Sequence, residues 1–196
     1  MIFRRSVPPR RYSHYTRYRS LLRRDFEYRC AYCLTHERYL GGEAGCTIDH
    51  FRPQQGPSVR PDLESDYVNL YWTCRECNDN KGDTWPGSEE TERGRRFLDP
   101  CVPEDDHELH WHTNPDGSVE AITPTGEYTI EHLKLWRDQL VYHRARLYRW
   151  QQERNVLVEL LARKRMSPET RTHLETRLIE LNEYLEPPVF DRPRLR

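Results

Sequence analysis

Apolar positions near the start of the chain recur at helical spacing. Tyr15, Tyr18, Leu22 and Phe26 lie three or four residues apart, with arginines largely on the other faces. After Pro8–Pro9 this pattern predicts a basic amphipathic helix over about residues 12–29. The period then changes. Cys46–Thr47–Ile48 is a short β-prone run ending at Asp49–His50, the Pro/Gln/Gly/Ser-rich stretch 53–65 reads as loop, and Tyr67–Thr73 reads as a second strand. A short helix follows and should stop at Gly82 and Pro86. Leu109–His112 and Val119–Ile122 flank Asn114-Pro115-Asp116-Gly117, the pattern of a hairpin. From Thr129, taken as an N-cap, Ile130, Leu133, Trp136, Leu140, Leu147, Leu157 and Leu161 outline one long helix to about residue 164. Ser167–Pro168 opens a last helix with Leu174, Leu178, Leu181 and Leu185, closed by Pro187–Pro188, so that the two form an antiparallel helical hairpin. The fold class expected is α+β.

Composition narrows the setting. Hydrophobic residues make up 35% and charged residues 32% of the 196, which suits a folded chain with a wet surface. No apolar run approaches the ~18–20 residues needed to cross a bilayer, and the amino terminus lacks the apolar stretch of a secretory signal. The expected setting is therefore the cytoplasm, with no membrane partner. Although the formal net charge is −1, residues 1–29 hold nine arginines against two acids, while residues 83–108 hold nine acids against three arginines. The first stretch suits a polyanion and the second should face away from one.

Six cysteines in a reducing compartment are better read as metal ligands than as disulfides. Cys30-x2-Cys33 and Cys74-x2-Cys77 are two knuckles 40 residues apart. Each spacing turns two thiolates toward one cation, and four sulfurs complete a closed tetrahedral zinc site. Such a site has no open position, so it is structural, and it contributes on the order of 10 kcal/mol to folding. Cys46 and Cys101 stand alone and read as small packed hydrophobes.

Between and beside the knuckles stand IDHFRP, YVNLYWTC and CRECNDNKG. Together these resemble the HNH (ββα-metal, treble-clef) endonuclease family over about residues 30–86. The resemblance implies a zinc-stapled ββα-metal core, with a phosphodiester bond as substrate and a 5′-phosphate and 3′-hydroxyl as products. It makes His50 the general base, Asp49 and Asn78 the ligands of a catalytic divalent ion (Mg²⁺, or Mn²⁺), and Asn69 the residue that holds the loop and orients His50. The chemistry is consistent with those types: a neutral imidazole takes a proton from water, and a carboxylate and an amide oxygen suit a hard cation. Asn78 is a departure, since that position is often His, and it weakens affinity for softer metals. Asp49 and His50, being neighbours in a strand, point to opposite faces unless the backbone turns there. Lys81, three residues after Asn78, shares its helical face and is expected at the scissile phosphate.

Arg17 and Arg24 of the first helix, with Arg52 and Arg75 beside the core, are candidates for phosphate contacts. The expected organisation is a basic helix (1–29), the nuclease core (30–86), an acidic linker with a β-hairpin (87–128) and a C-terminal helical region (129–196). FLDP (97–100) and the G-x-x-T-I-x-x-L run from Gly126 to Leu133 resemble, more weakly, small stand-alone HNH proteins of bacterial Septu-type and retron-linked anti-phage systems. That resemblance implies an ATPase as regulatory partner, docked on the helical hairpin. DNA is the expected substrate ahead of RNA. The competing readings are a zinc-dependent nucleic-acid-binding module without catalysis and a structural subunit of an ATPase assembly.

Overall fold

The computed structural model describes residues 1–8, 10–163 and 166–186. Near the start, Tyr18, Leu22 and Phe26 of the apolar stripe are buried and Tyr15 is half-buried, but the regular helix is shorter than 12–29. A 3-10 turn at Tyr15–Tyr18 runs into α1 (Arg19–Asp25). The helix ends because Glu27 and Tyr28 both take left-handed backbone, φ 50° and 59°. This reversal lets the Tyr28 amide donate to the Arg23 carbonyl and sets Arg29 in a bridge with His36 across the first cysteine pair.

Strands β1 (Cys46–His50) and β2 (Leu70–Cys74) pair antiparallel, in register from Cys46↔Cys74 to His50↔Leu70. Helix α2 (Arg75–Lys81) follows without a gap. The Cys74 sulfur caps it by accepting from the Cys77 amide, and Gly82 ends it at φ 49°. Two apolar clusters meet at this unit. One gathers Phe3, Tyr18, Leu22, Phe26 and Trp72, and the other gathers the four paired cysteines with Tyr32, Phe97, Leu98 and Tyr128. Leu40 and Phe51 pack against both.

After the short helix α3 (Ser88–Glu92), the chain departs from the expected strand at 109–112. Asp106 caps the Glu108 amide and starts one helical turn, α4 (His107–His110), which leaves Leu109 exposed and only Trp111–Thr113 as β3. Strand β4 (Val119–Ala121) completes the hairpin. His107, His110 and His112 do not converge. His107 lies between the Met1 and Ala31 carbonyls, His110 is held by Thr123 and Glu104, and His112 is exposed.

The single helix expected from Thr129 is two helices, α5 (Pro124–His132) and α6 (Asp138–Leu161). The true cap is Thr123, whose hydroxyl accepts from the Gly126 amide at 3.1 Å, whereas Thr129 is buried within α5 and accepts from the Leu98 amide at 2.9 Å. Lys134, at φ 48°, breaks the helix. Leu133 and Leu135 are both buried, and residues two apart in a continuous helix would face opposite ways, so the break lets both point inward. Helix α7 (Pro168–Leu185), capped by Ser167, returns antiparallel to α6 through Arg177–Glu153 at 2.7 Å and a Trp150–Tyr184 stack at 4.8 Å. The Pro187–Pro188 stop lies outside the described residues. Among the described residues no helix is long and apolar enough to cross a membrane.

The β3–β4 turn rests directly on α6. A Cβ on Gly117, at φ 86°, would stand 1.9 Å from the Val141 carbonyl oxygen. Gly117→Ala should therefore cost about 1–3 kcal/mol, read as a fall of several °C in the unfolding midpoint. An unchanged midpoint would place the hairpin away from α6.

Burial holds His36, His107 and His143 at a pKa of about 4 rather than 6.5. Their stability contribution is complete above the unfolded pKa and is lost as pH falls from 6.5 toward 4, because the unfolded chain takes up protons first. Denaturant midpoints measured across that window should fall with pH. A flat profile would refute the burial of these rings.

Candidate metal centre and active site

The sulfurs of Cys30, Cys33, Cys74 and Cys77 all lie within 4.8 Å of one another, and all four residues are buried. Cys33 and Cys74 are 4.0 Å apart. A tetrahedral zinc with bonds of about 2.3 Å needs sulfur–sulfur edges of about 3.8 Å, so the cluster accepts the ion with small adjustments. The folding reason is local. Tight turns after Arg29 and at the β2–α2 junction each present two sulfurs, and the Cys30 amide and carbonyl bond the Thr35 carbonyl and the Leu34 amide to shape the first knuckle.

Asp49 leaves β1 toward the first knuckle and α2. Its Oδ2 accepts from the Tyr32 hydroxyl at 2.5 Å and its Oδ1 from the Lys81 ammonium at 3.2 Å. Lys81 also donates to the His50 carbonyl at 2.8 Å. The Lys81 side chain is 0% exposed, so it does not stand at the surface where the expected phosphate contact would be made. Spacing gave no sign of this depth. Burial beside the Asp49 carboxylate drives the Tyr32 phenol well above its usual pKa, so it stays protonated and donates.

His50, the next residue, leaves the strand in the other direction. Its Nε2 lies 2.8 Å from the Glu64 carbonyl, and its ring meets the Tyr15 ring edge-on at 4.7 Å. A carbonyl only accepts, so Nε2 carries the proton and Nδ1 keeps the basic lone pair. Burial lowers the imidazole pKa below 6.5, which keeps the ring neutral near pH 7.

Asn69 clamps the ends of the loop between β1 and β2. Its amide donates to the Arg52 and Leu63 carbonyls, at 3.1 and 3.3 Å, and its oxygen accepts from the Arg52 amide at 2.8 Å. Leu63 precedes Glu64, so the clamp reaches the carbonyl that fixes His50. Asn78 is half-buried on α2, and among the described residues its side chain makes no hydrogen bond; none joins it to Asp49 or His50. Asp49 and Asn78 offer hard oxygen donors suited to a divalent ion, and each Asp49 oxygen retains a lone pair, although Lys81 already shares the carboxylate.

Of the arginines singled out, Arg17 and Arg24 are exposed, with Arg17 near the Tyr12 ring. Arg75 is exposed and donates to the Ala44 carbonyl, while Arg52 is half-buried, donates to the Ser58 carbonyl and covers the Trp85 ring at 4.7 Å. Sequence reasoning missed Tyr32, Tyr15, Glu64 and Arg137. Tyr32 lies between the first two cysteines and Tyr15 in the lead stripe, so position hinted at both. A backbone carbonyl and an arginine 60 residues beyond the second knuckle gave no signal.

Residues 30–84 match the model of a family described as HNH endonuclease. No curated protein and no solved structure matches the chain. The matched segment covers both knuckles, β1, β2 and α2, so the chain is α+β with an HNH-type core. That family is one of nucleases, hydrolases acting on nucleic acid, and the similarity lies within this segment.

Lys81→Met should cost about 3–5 kcal/mol in denaturant unfolding, because it strands the buried Asp49 carboxylate. The double variant Asp49→Asn with Lys81→Met should regain most of that loss. Parental stability in Lys81→Met alone would mean the ammonium is solvated.

Proposed function

We propose that the chain is a metal-dependent endonuclease that hydrolyses phosphodiester bonds of DNA, with His50 as general base. The observation that carries this reading is the bond from His50 to the Glu64 carbonyl. It fixes a neutral imidazole in one tautomer, with Nδ1 as the atom that takes a proton from the attacking water. Asn69 acts as the positioning residue, since it pins Leu63 and Arg52 and thereby the loop that carries Glu64. Tyr32 and Lys81 orient Asp49, and Lys81 also ties the His50 carbonyl to α2, so that base and carboxylate keep a fixed separation.

Asp49 and Asn78 would hold a Mg²⁺ or Mn²⁺ ion, which supplies charge on the phosphate and the leaving oxygen. Arg17, Arg24, Arg52 and Arg75 contribute phosphate contacts that position the duplex without reading its sequence. The weaker resemblance of the region after the core supports a role as effector nuclease of an anti-phage system with an ATPase partner. Tyr142, Val156, Val158 and Ile179, exposed on α6 and α7, supply apolar surface for such docking.

The test is incubation of purified protein with plasmid DNA, and in parallel with structured RNA, under EDTA, Mg²⁺ or Mn²⁺. Cutting of the plasmid should require the divalent ion and should fall about 100-fold or more in His50→Ala, with Asp49→Ala and Asn78→Ala also inactive. Equal cutting by parent and His50→Ala would remove His50 from the chemistry, and cutting of RNA alone would replace the substrate.

A further inference from the structure

One side of the four-sulfur cluster is closed by a residue far outside the matched segment. Arg137, at the start of α6, is buried, with 7% of its surface exposed. Its Nη2 donates to the Cys77 sulfur at 3.2 Å and lies 3.9 Å from the Cys74 sulfur. Its Nη1 donates to the Leu133 carbonyl at 2.7 Å and to the Lys134 carbonyl at 3.2 Å. Glu76 stands 3.1 Å from its Nε. The left-handed Lys134 turn therefore aims the guanidinium, and the carbonyls of that turn hold it in place.

Four thiolates around a zinc dication leave two negative charges uncompensated in a buried place, which is costly unless cations or hydrogen-bond donors face the sulfurs. Arginine supplies both, a permanent charge and a planar set of donors. We propose that Arg137 is an outer-shell member of the zinc centre: its N–H groups hold the Cys77 and Cys74 sulfurs and offset their charge, so the turn between α5 and α6 governs how long the metal stays. The proposal requires the zinc staple, and it is independent of whether the chain cuts DNA.

A purely structural role for Arg137, tying down the turn, predicts something different. Thr129→Val serves as the comparison, because Thr129 anchors α5 to the Leu98 amide and makes no sulfur contact. Zinc in the purified full chain is measured first, and its release to a chromogenic chelator is then timed for the parent, Arg137→Met, Arg137→Gln and Thr129→Val. The same proteins loaded with cobalt report the sulfur-to-metal charge-transfer band. Release should quicken by about 10–100-fold in Arg137→Met, as losses of outer-shell partners do elsewhere, and stay near the parent's in Thr129→Val. The cobalt band should move to lower energy in the Arg137 variants alone, since sulfurs freed of N–H donors hold their electrons less tightly. If Arg137→Met does not accumulate as folded protein, Arg137→Gln decides by the same two readings, because it removes the charge and the forked donors that face the sulfurs while leaving a polar side chain at the turn. Release and band matching the parent in the deciding Arg137 variant, or release quickened equally in Thr129→Val, would overturn the proposal. A parent chain that purifies without zinc would overturn the staple itself, and this proposal with it.

Discussion

The convergence of four sulfurs is the constraint on which the rest of the core depends. The second knuckle is the joint between β2 and α2, and the first follows α1 by a few residues. One cation held there would fix a helix, a strand and a second helix together, in a chain where nearly a third of the residues are charged. The aromatic cluster around Tyr18, Phe26 and Trp72 packs along the same two strands, from Cys46 and Ile48 of β1 to Leu70 of β2. The sulfur cluster and the apolar packing thus both hold β1 and β2, and Asp49–His50 lies at the end of β1 away from the Cys46–Cys74 pair.

Within that frame a single buried ammonium links β1 to α2. Lys81 joins α2 to both the Asp49 side chain and the His50 main chain, so a carboxylate and an imidazole that leave the strand on opposite sides are referenced to one helix. Each has its own further support, Tyr32 for Asp49 and the Glu64 carbonyl for His50. Enclosing a charge at this point is tolerable because every donor of that ammonium faces an oxygen or the Phe97 ring, 5.8 Å away.

The core was legible because its signals are local. Cysteine pairs two residues apart, a β-prone run before Asp49–His50, and Gly82 after α2 are each read within a few positions of the chain. What failed in the reading was long-range. Leu133, Leu140 and Thr129 suit a helix that begins at Thr129, and Thr123 is just as good a cap on paper; only packing against Leu98 and the left-handed Lys134 decide between them. The run 109–112 looks like a strand, but Asp106 and Thr123 compete for it with a cap and a histidine bond. The same limit applies to depth. FLDP and the run from Gly126, which carried the weaker resemblance, are packing elements here, with Phe97 and Leu98 in the core and Gly126 against the His110 backbone.

The loop between β1 and β2 is built as a free span on fixed footings. Asn69 grips it at Arg52 and Leu63, while residues 54–57 and 59–62 between those grips stand exposed. Insertions, deletions or exchanged sequence in that span would lengthen or reshape what reaches outward while leaving the imbedded imidazole where it is. The loop is thus a natural graft point, where a new segment could be added to the protein without rebuilding the strand end at Asp49–His50.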